Sequence, residues 1–327
     1  MTGEMIAFGP VPSRRLGRSL GINNIPPKVC TYSCVYCQLG RTDKMSNRRR
    51  EFLHPDAIVA AVTEKVHKLQ SQGERLDFLT FVPDGEPTLD IHLEEEIRRL
   101  RPLGHKIAVI SNSTLVDLKD VRQALALADW VSLKIDAVSE DAWRRVDRPH
   151  RSLRLDDILK GILTFAETYS GQLVTETMLV AGLNDGPDEL AALAAFLGTL
   201  KPAAAYLALP TRPPAEPWVR APDEASLHRA YQIVRQRVPA VELLMGYEGN
   251  AFTATGNTEQ DLLSMTAVHP MRSDAVESVL KRNGDGWSEV DRLIREGQLV
   301  QLDHEGWHYY LRRLHPAQTR SRVAPSG

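Results

Sequence analysis

The stretch LGINNIPPKVCTYSCVYC, residues 20–37, joins an apolar, strand-like segment to a group of three cysteines. Cys30, Cys34 and Cys37 lie close together, and the chain of 327 residues contains no other cysteine. An odd number of cysteines this near to one another cannot form a set of ordinary structural disulfides. A reducing cytosol would keep them as thiols in any case. The group therefore indicates a metal or redox site.

The composition is that of an ordinary globular protein, with 43% hydrophobic residues, 25% charged residues and a formal net charge of −2. No apolar run reaches the ~18 residues that a membrane-spanning helix needs. The first residues are neither basic nor apolar enough for a signal peptide. We expect a cytoplasmic protein with no membrane association, built from one large domain or two.

Short apolar runs alternate with amphipathic segments along most of the chain. The predicted strands are 20–24, 76–82, 106–111, 130–135, 172–179 and 204–209. The predicted helices are 55–70, 91–101, 118–128, 155–169, 187–197 and 223–237. Six strand–helix repeats favour an α/β fold with a parallel sheet and right-handed crossovers. An open sheet and an incomplete barrel both fit this pattern.

The pattern changes after residue 245. Three short helical segments and a hairpin follow, which together are typical of a small winged-helix-like α+β domain. The predicted organisation is a domain over 1–245, a linker over 246–256, a winged-helix-like module over 257–315 and a flexible tail over 316–327.

The number of cysteines limits the kind of metal site. Structural zinc takes four ligands, so a zinc ion here would need a distant His, Asp or Glu. A [4Fe–4S] cluster has four irons, and three cysteines leave one iron open to a substrate or cofactor. The cysteine segment also follows the first predicted strand, at the mouth where α/β proteins bind ligands. Zinc, a redox thiol site and an iron–sulfur cluster all remain open on spacing alone.

The segment Cys30-Thr31-Tyr32-Ser33-Cys34-Val35-Tyr36-Cys37 resembles the C-x3-C-x-aromatic-C signature of the radical S-adenosylmethionine (radical SAM) family. The resemblance extends over residues 5–245 and implies a partial (β/α)6 TIM-like barrel. It further implies a [4Fe–4S] cluster on the three cysteines and S-adenosylmethionine (SAM) as cofactor. In this family SAM chelates the open iron, and one electron cleaves it to methionine and a 5′-deoxyadenosyl radical, which abstracts a substrate hydrogen.

The resemblance also assigns SAM-binding residues. Asp84-Gly85-Glu86-Pro87 is similar to the family's G-G-E-P turn, which holds the methionyl ammonium, although the first glycine is replaced by Asp84. The ends of the next two strands serve the ribose hydroxyls and the methionyl carboxylate in the family, and an aromatic residue of the cysteine loop packs near adenine. The positions that match are Ser111, Asn112, Lys134, Asp136 and Tyr36.

Charge is unevenly distributed along the chain. Residues 1–50 contain nine Lys and Arg and two acids, a net charge of +7. This asymmetry suggests an acidic electron donor of the flavodoxin or ferredoxin type, or a phosphate-rich substrate such as tRNA. Residues 257–313 contain seven basic and ten acidic residues, a net charge of −3. That charge is unfavourable for nucleic acid, so we favour protein contact or domain packing for the terminal module.

The substrate remains open at this stage. The segment VPSRRLG, residues 11–17, and the cysteine loop resemble a radical SAM group related to the tRNA wyosine-synthesis enzymes. Those enzymes carry a second cluster on further cysteines that this chain lacks, so identical tRNA chemistry is not expected. Glycyl-radical-enzyme activation is a competing function. An RNA and a protein are both candidate substrates. Arg148, His150 and Arg212 are candidate substrate contacts. A metal-binding interaction protein is the non-enzyme alternative.

Overall fold

A computed structural model describes residues 6–244, 256–268, 270–304 and 306–313. The chain divides into two compact units, one up to Thr253 and one from Ala254. The predicted tail, and the predicted linker except for its last residue, lie outside the described residues. Within the described ranges no helix is both long and apolar enough to span a membrane.

The first unit is built on an eight-stranded sheet. Its strands and a separate two-stranded ladder are β1 (Ala7–Ser13), β2 (Gly17–Ile22), β3 (Val29–Cys30), β4 (Lys44–Met45), β5 (Phe78–Phe81), β6 (Lys106–Ser111), β7 (Trp130–Lys134), β8 (Gln172–Met178), β9 (Ala204–Ala208) and β10 (Val241–Leu244). The large sheet has the order β1-β2-β5-β6-β7-β8-β9-β10, and β3 pairs only with β4. The β1–β2 pair is antiparallel and the other pairs are parallel.

Helices connect the parallel strands. They are α1 (Pro55–Ser71), α2 (Leu93–Leu100), α3 (Lys119–Leu125), α4 (Glu140–Asp147), α5 (Leu155–Thr168), α6 (Pro187–Leu200) and α7 (Glu224–Arg235). The strand order follows the chain order, and right-handed crossovers then place every helix on the same side of the sheet. In the described part of the chain β1 and β10 remain the two edges, so the architecture is a partial barrel.

The apolar faces predicted from the sequence form the core of this unit. Helix α1 buries Ile58, Val62 and Val66 against the sheet, and all three are fully buried. Burying each such side chain stabilises the fold by about 1.5–3 kcal/mol. Pro55 at the start of α1 lacks the N–H that the first helical turn would leave unpaired, so it suits that position.

All six predicted strands are present, and the first unit adds four strands (β1, β3, β4 and β10) and the helix α4, which the sequence pattern does not predict. Strand β1 contains Pro10 and Pro12, which a central strand would exclude but an edge strand accepts. Strand β10 has only four residues, one of them Glu242, and forms the opposite edge. The short helix α4 is rich in charge and has only two buried apolar side chains besides Ala142, namely Trp143 and Val146.

The second unit contains the predicted three helices and hairpin together with one further strand. The elements are α8 (Thr258–Val268), β11 (Met271–Arg272), α9 (Ser273–Asn283), α10 (Trp287–Arg295), β12 (Leu299–His304) and β13 (Trp307–Arg312). The three strands are antiparallel in the order β11-β13-β12. The unit has buried apolar side chains of its own, among them Leu262, Val276, Val290 and Leu293.

Candidate active site

The three cysteines lie on one closed loop that leaves the carboxyl end of β2. Cys30 ends β3, which pairs in parallel with β4, and the Ser46 N–H donates to the Cys30 carbonyl across 3.0 Å. Inside the loop the Cys37 N–H donates to the Cys34 carbonyl across 3.1 Å. These short-range bonds hold the cysteines together at the mouth of the sheet.

All three thiols are free and half-buried. Burial raises the pKa of Cys30 to about 12, and it also raises the pKa of Cys34 and of Cys37. Among the described residues no three His, Cys, Asp or Glu side chains converge as the ligands of one metal ion. A [4Fe–4S] cluster binds each cysteine through a different iron, so three thiols on a loop fit this cluster better than a single zinc ion. Binding requires the thiols to lose their protons.

The first cysteine is tied to the end of β6. Asn112 follows this strand, and its Nδ2 donates to Thr31 Oγ1 across 2.7 Å and to Cys30 Sγ across 3.4 Å. Its Oδ1 accepts from the Thr114 N–H across 3.2 Å. The side chain that the family resemblance assigns to the SAM ribose is therefore engaged by the cysteine loop.

The second cysteine faces two buried carboxyl groups. Cys34 Sγ donates to Asp147 Oδ1 across 3.4 Å, and Tyr36 Oη donates to Asp136. Burial, followed by the nearby Asp136, raises the pKa of Asp147. Asp147 was not identified as a site residue from the sequence, because an acid in a highly charged segment is usually solvated.

Lys134 lies within a chain of partly buried charges at the ends of β7 and β8. Its Nζ is 3.0 Å from Glu176 and 3.8 Å from Asp136, and it lies 4.8 Å from the centre of the Tyr36 ring. Arg15 pairs with the same Glu176. Burial opposes ionisation of Glu176, yet Arg15 and Lys134 lower its pKa to about 2. Glu176 is not among the predicted site residues, although a charge inside an apolar strand indicates such a role.

Glu86 is held at the centre of the turn after β5. One carboxylate oxygen accepts from the Thr88 N–H (3.1 Å), the Thr88 hydroxyl (2.6 Å) and the Ser111 hydroxyl (2.8 Å). The other accepts from the Asn112 N–H across 2.7 Å. Burial raises the pKa of Glu86 although these donors oppose the change. The carboxylate is therefore fixed in position between the ends of β5 and β6.

The turn that carries Glu86 requires a glycine. A Cβ atom on Gly85 would lie 2.0 Å from the carbonyl oxygen of Val29, which is closer than any side chain tolerates. The Glu86 N–H donates to that same oxygen across 3.2 Å, and the Lys28 N–H donates to the Asp84 carbonyl across 2.8 Å. Asp84, which replaces the family's first glycine, thus takes part in the turn through its backbone.

The proline-rich loop after β9 is tied to the cysteine loop. Glu216 accepts two hydrogen bonds from Arg41, at 2.8 and 3.0 Å, and pairs with Arg148 as well. These two arginines lower the pKa of Glu216 to about 2. Arg212 donates to Gln38 across 2.7 Å. Two of the three candidate substrate contacts, Arg148 and Arg212, therefore connect the proline-rich loop to neighbouring loops through their side chains.

The structure brings the predicted site residues to the carboxyl end of the parallel strands. Their assignment to the cluster and to SAM remains a prediction. The residues are Cys30, Cys34, Cys37, Tyr36, Gly85, Glu86, Ser111, Asn112, Lys134 and Asp136.

Comparisons of the sequence and the fold with known proteins point to the same family. The family described as the Radical SAM superfamily matches residues 24–197. The chain is 42% identical over 311 residues to UPF0026 protein MJ1312 of Methanocaldococcus jannaschii, covering 94% of this chain and 96% of that protein. It is 25% identical to a probable dual-specificity RNA methyltransferase RlmN of Symbiobacterium thermophilum, covering 70% and 63% of the two chains. A solved structure of TYW1 with a lysine-pyruvate adduct bound is similar in fold, with a TM-score of 0.53, 14% identity and coverage of 68% and 74%.

Proposed function

Because the chain belongs to the radical SAM superfamily, we propose that it is a radical SAM enzyme whose substrate is an RNA. Members of this superfamily are enzymes with a [4Fe–4S] cluster and SAM, and these are the cofactors of this enzyme. When bound, the cluster supplies the electron that cleaves SAM to methionine and a 5′-deoxyadenosyl radical. The protein binds and orients both cofactors and excludes water from them.

In this proposal the charged side chains at the carboxyl end of the strands match the ammonium and carboxylate groups of the methionyl part of SAM. The buried Glu86 carboxylate faces the ammonium, and Lys134 faces the carboxylate. The neighbouring acids Asp136 and Glu176 raise the pKa of Lys134 although burial opposes protonation, so it stays charged. The remaining proposed contacts are the Gly85 backbone to the ammonium, Ser111 and Asp136 to the ribose, and Tyr36 beside adenine. Asn112 borders the same site, with its side chain bound to the cysteine loop.

The observation that carries the RNA proposal is a basic rim, defined as residues 41–50 and 144–154. Each segment contains five Lys or Arg and a single acid. The acid of the second segment, Asp147, is buried, so it offers no charge to the surface. The two segments together contain ten basic residues, and those without a carboxylate partner match the phosphate backbone of a nucleic acid.

The basic rim lies on both sides of the cysteine loop. The first segment is bonded to it through the Ser46 N–H and the Cys30 carbonyl at 3.0 Å, and the second through the His150 N–H and the Thr31 carbonyl at 2.9 Å. The two segments also contact each other, because Asn47 Nδ2 donates to Ser152 Oγ across 2.6 Å. A polyanion bound on the rim would therefore lie beside the cofactors.

Several cations of the rim are available for a partner. Lys44, Arg48 and Arg151 are exposed, and among the residues that the structure describes none of them forms an ion pair. The resemblance to a protein named as a probable RNA methyltransferase supports the same class of substrate. An acidic electron donor of the flavodoxin or ferredoxin type would also bind to this rim.

The proposal includes a reducing compartment such as the cytoplasm, because such a compartment keeps the cysteines as thiols.

The first test is RNA binding and SAM cleavage by the anaerobically reconstituted enzyme. RNA from a strain that lacks the gene should be bound, and it should increase the yield of 5′-deoxyadenosine. Reversing the charge of Lys44, Arg48 and Arg151 to Glu should weaken binding and reduce its salt slope by about one for each phosphate that is no longer neutralised. The matched control reverses Lys68, Lys160 and Arg229, which are exposed on the surrounding helices.

The outcomes separate the alternatives. Equal RNA binding by both triple variants would refute the role of the rim. A yield of 5′-deoxyadenosine that rises with a protein fraction and not with RNA would make the substrate a protein, as in glycyl-radical-enzyme activation. Loss of reduction by an acidic donor with unchanged RNA binding would assign the rim to electron transfer.

A further inference from the structure

The side chain of Asn112 contacts the sulfur of a proposed cluster ligand. It stands one position past the end of β6, and its amide nitrogen lies 3.4 Å from Cys30 Sγ, within hydrogen-bond distance for sulfur. The two residues are 82 positions apart in sequence. Only the pairing of β2, β5 and β6 in neighbouring positions brings them together.

The surrounding bonds fix which end of the amide faces the sulfur. Thr114 donates its N–H to Asn112 Oδ1 across 3.2 Å, and its hydroxyl lies 2.7 Å from the same oxygen. A backbone N–H only donates, so the atom beside it must be the oxygen. The nitrogen therefore faces Thr31 Oγ1 and Cys30 Sγ, and a flipped amide would place two donors against each other.

The backbone of Asn112 is equally well anchored. Its N–H donates to the buried carboxylate of Glu86 across 2.7 Å. The hydroxyls of Thr31 and Thr114 lie 2.8 Å apart and complete a buried ring of bonds around the amide. The donor is therefore held in position before any cofactor binds.

We propose that Asn112 is a positioning residue that donates an N–H···S hydrogen bond to the Cys30 thiolate and so raises the reduction potential of the bound cluster. A thiolate is a stronger acceptor than the thiol, because it carries the charge. Hydrogen bonds to cluster sulfurs are among the factors that set the potential, since they stabilise the more negative, reduced state. The inference rests on the cluster and is independent of the RNA substrate.

The experiment replaces Asn112 by Leu, which has a similar shape and no donor. The ratio of reduced to oxidised cluster at a fixed potential should fall about fivefold, as expected for losing one hydrogen bond of ordinary strength. The midpoint potential, measured by redox titration with electron paramagnetic resonance, should move to a more negative value. Asn112→Asp should move it further, because a negative charge replaces the donor.

The matched control is Asn184→Leu. Asn184 is a buried amide at the same end of the sheet, but its Nδ2 donates to the backbone carbonyls of Asp136 and Met178. The proposal is overturned if Asn112→Leu keeps full iron and sulfide with an unchanged potential. It is also overturned if Asn184→Leu shifts the potential equally.

A second measurement applies if the Asn112 variants fail to assemble a cluster. The unmodified enzyme is labelled with ¹⁵N in asparagine side chains only, and the reduced cluster is studied by pulsed electron paramagnetic resonance. A hyperfine coupling to a side-chain nitrogen supports the hydrogen bond, and its absence refutes it. Neither result depends on RNA, so failure here leaves the proposed substrate untouched.

Discussion

Glu96 is a buried carboxyl group outside the site. It is fully buried in α2, where the side chain of Asn24 is the polar group that opposes the rise of its pKa. Burial, followed by the nearby Asp90, raises its pKa to about 9. Because the folded pKa is above that of the unfolded chain, the stability that Glu96 contributes is greatest at low pH. It is lost as the pH rises from about 4.5 towards 9, by at most about 1.4 kcal/mol per pH unit.

At the scale of single residues, we predict that Glu96→Gln flattens the pH dependence of the free energy of unfolding. The neutral amide has the shape of the protonated acid and never ionises, so the variant should be more stable than the parent at pH 8 and similar at pH 5. Urea unfolding at both pH values measures this difference. The matched control is Glu95→Gln, at the neighbouring half-exposed residue. A parallel change in both variants would contradict the prediction.

At the scale of elements, the loop after β9 and the cysteine loop depend on one ion-pair group. Glu216 is nearly buried and binds Arg41 and Arg148, which come from two different loops. The Glu216 N–H also donates to the Val35 carbonyl across 3.1 Å. Removing the charge leaves two arginines without their carboxylate beside the cluster ligands, so both loops should open more often.

We therefore expect Glu216→Gln to lose its reconstituted cluster several-fold faster in air, since opening admits oxygen and water. The decay of the cluster absorbance measures the rate. Glu224→Gln is the matched control, because Glu224 is exposed in the first turn of the next helix, α7. Equal decay rates in the two variants would show that the ion pairs do not protect the cluster.

At the scale of the whole molecule, the two compact units each have their own buried apolar side chains. All the proposed cluster ligands belong to the first unit. A ligand that binds only the native state stabilises the part that holds it. We expect calorimetry to resolve two transitions, of which reconstitution raises only one. The Cys34→Ala chain, which lacks a cluster ligand, should show no such shift. A single transition that moves as a whole would contradict this expectation.

The sequence alone determined the kind of cofactor and the class of fold. Both depend on residues that are close in the chain: the cofactor on the resemblance of the segment from Cys30 to Cys37 to the radical SAM signature, and the fold class on the alternation of apolar runs with amphipathic helices. The turn at Gly85 and Glu86 was found in the same way. The edge strands β1 and β10 were not predicted, because the prolines of β1 and the short length of β10 weaken the apolar pattern that marks a strand.

Only the tertiary structure decided which side chains meet at the mouth. The contact of Asn112 with Cys30 spans 82 positions and that of Arg15 with Glu176 spans 161. The two segments of the basic rim are likewise distant in sequence and joined by Asn47 and Ser152. Such pairs depend on the order and register of the strands. Hydrophobic periodicity leaves both unspecified, because it records which face is buried and not which strand lies beside it.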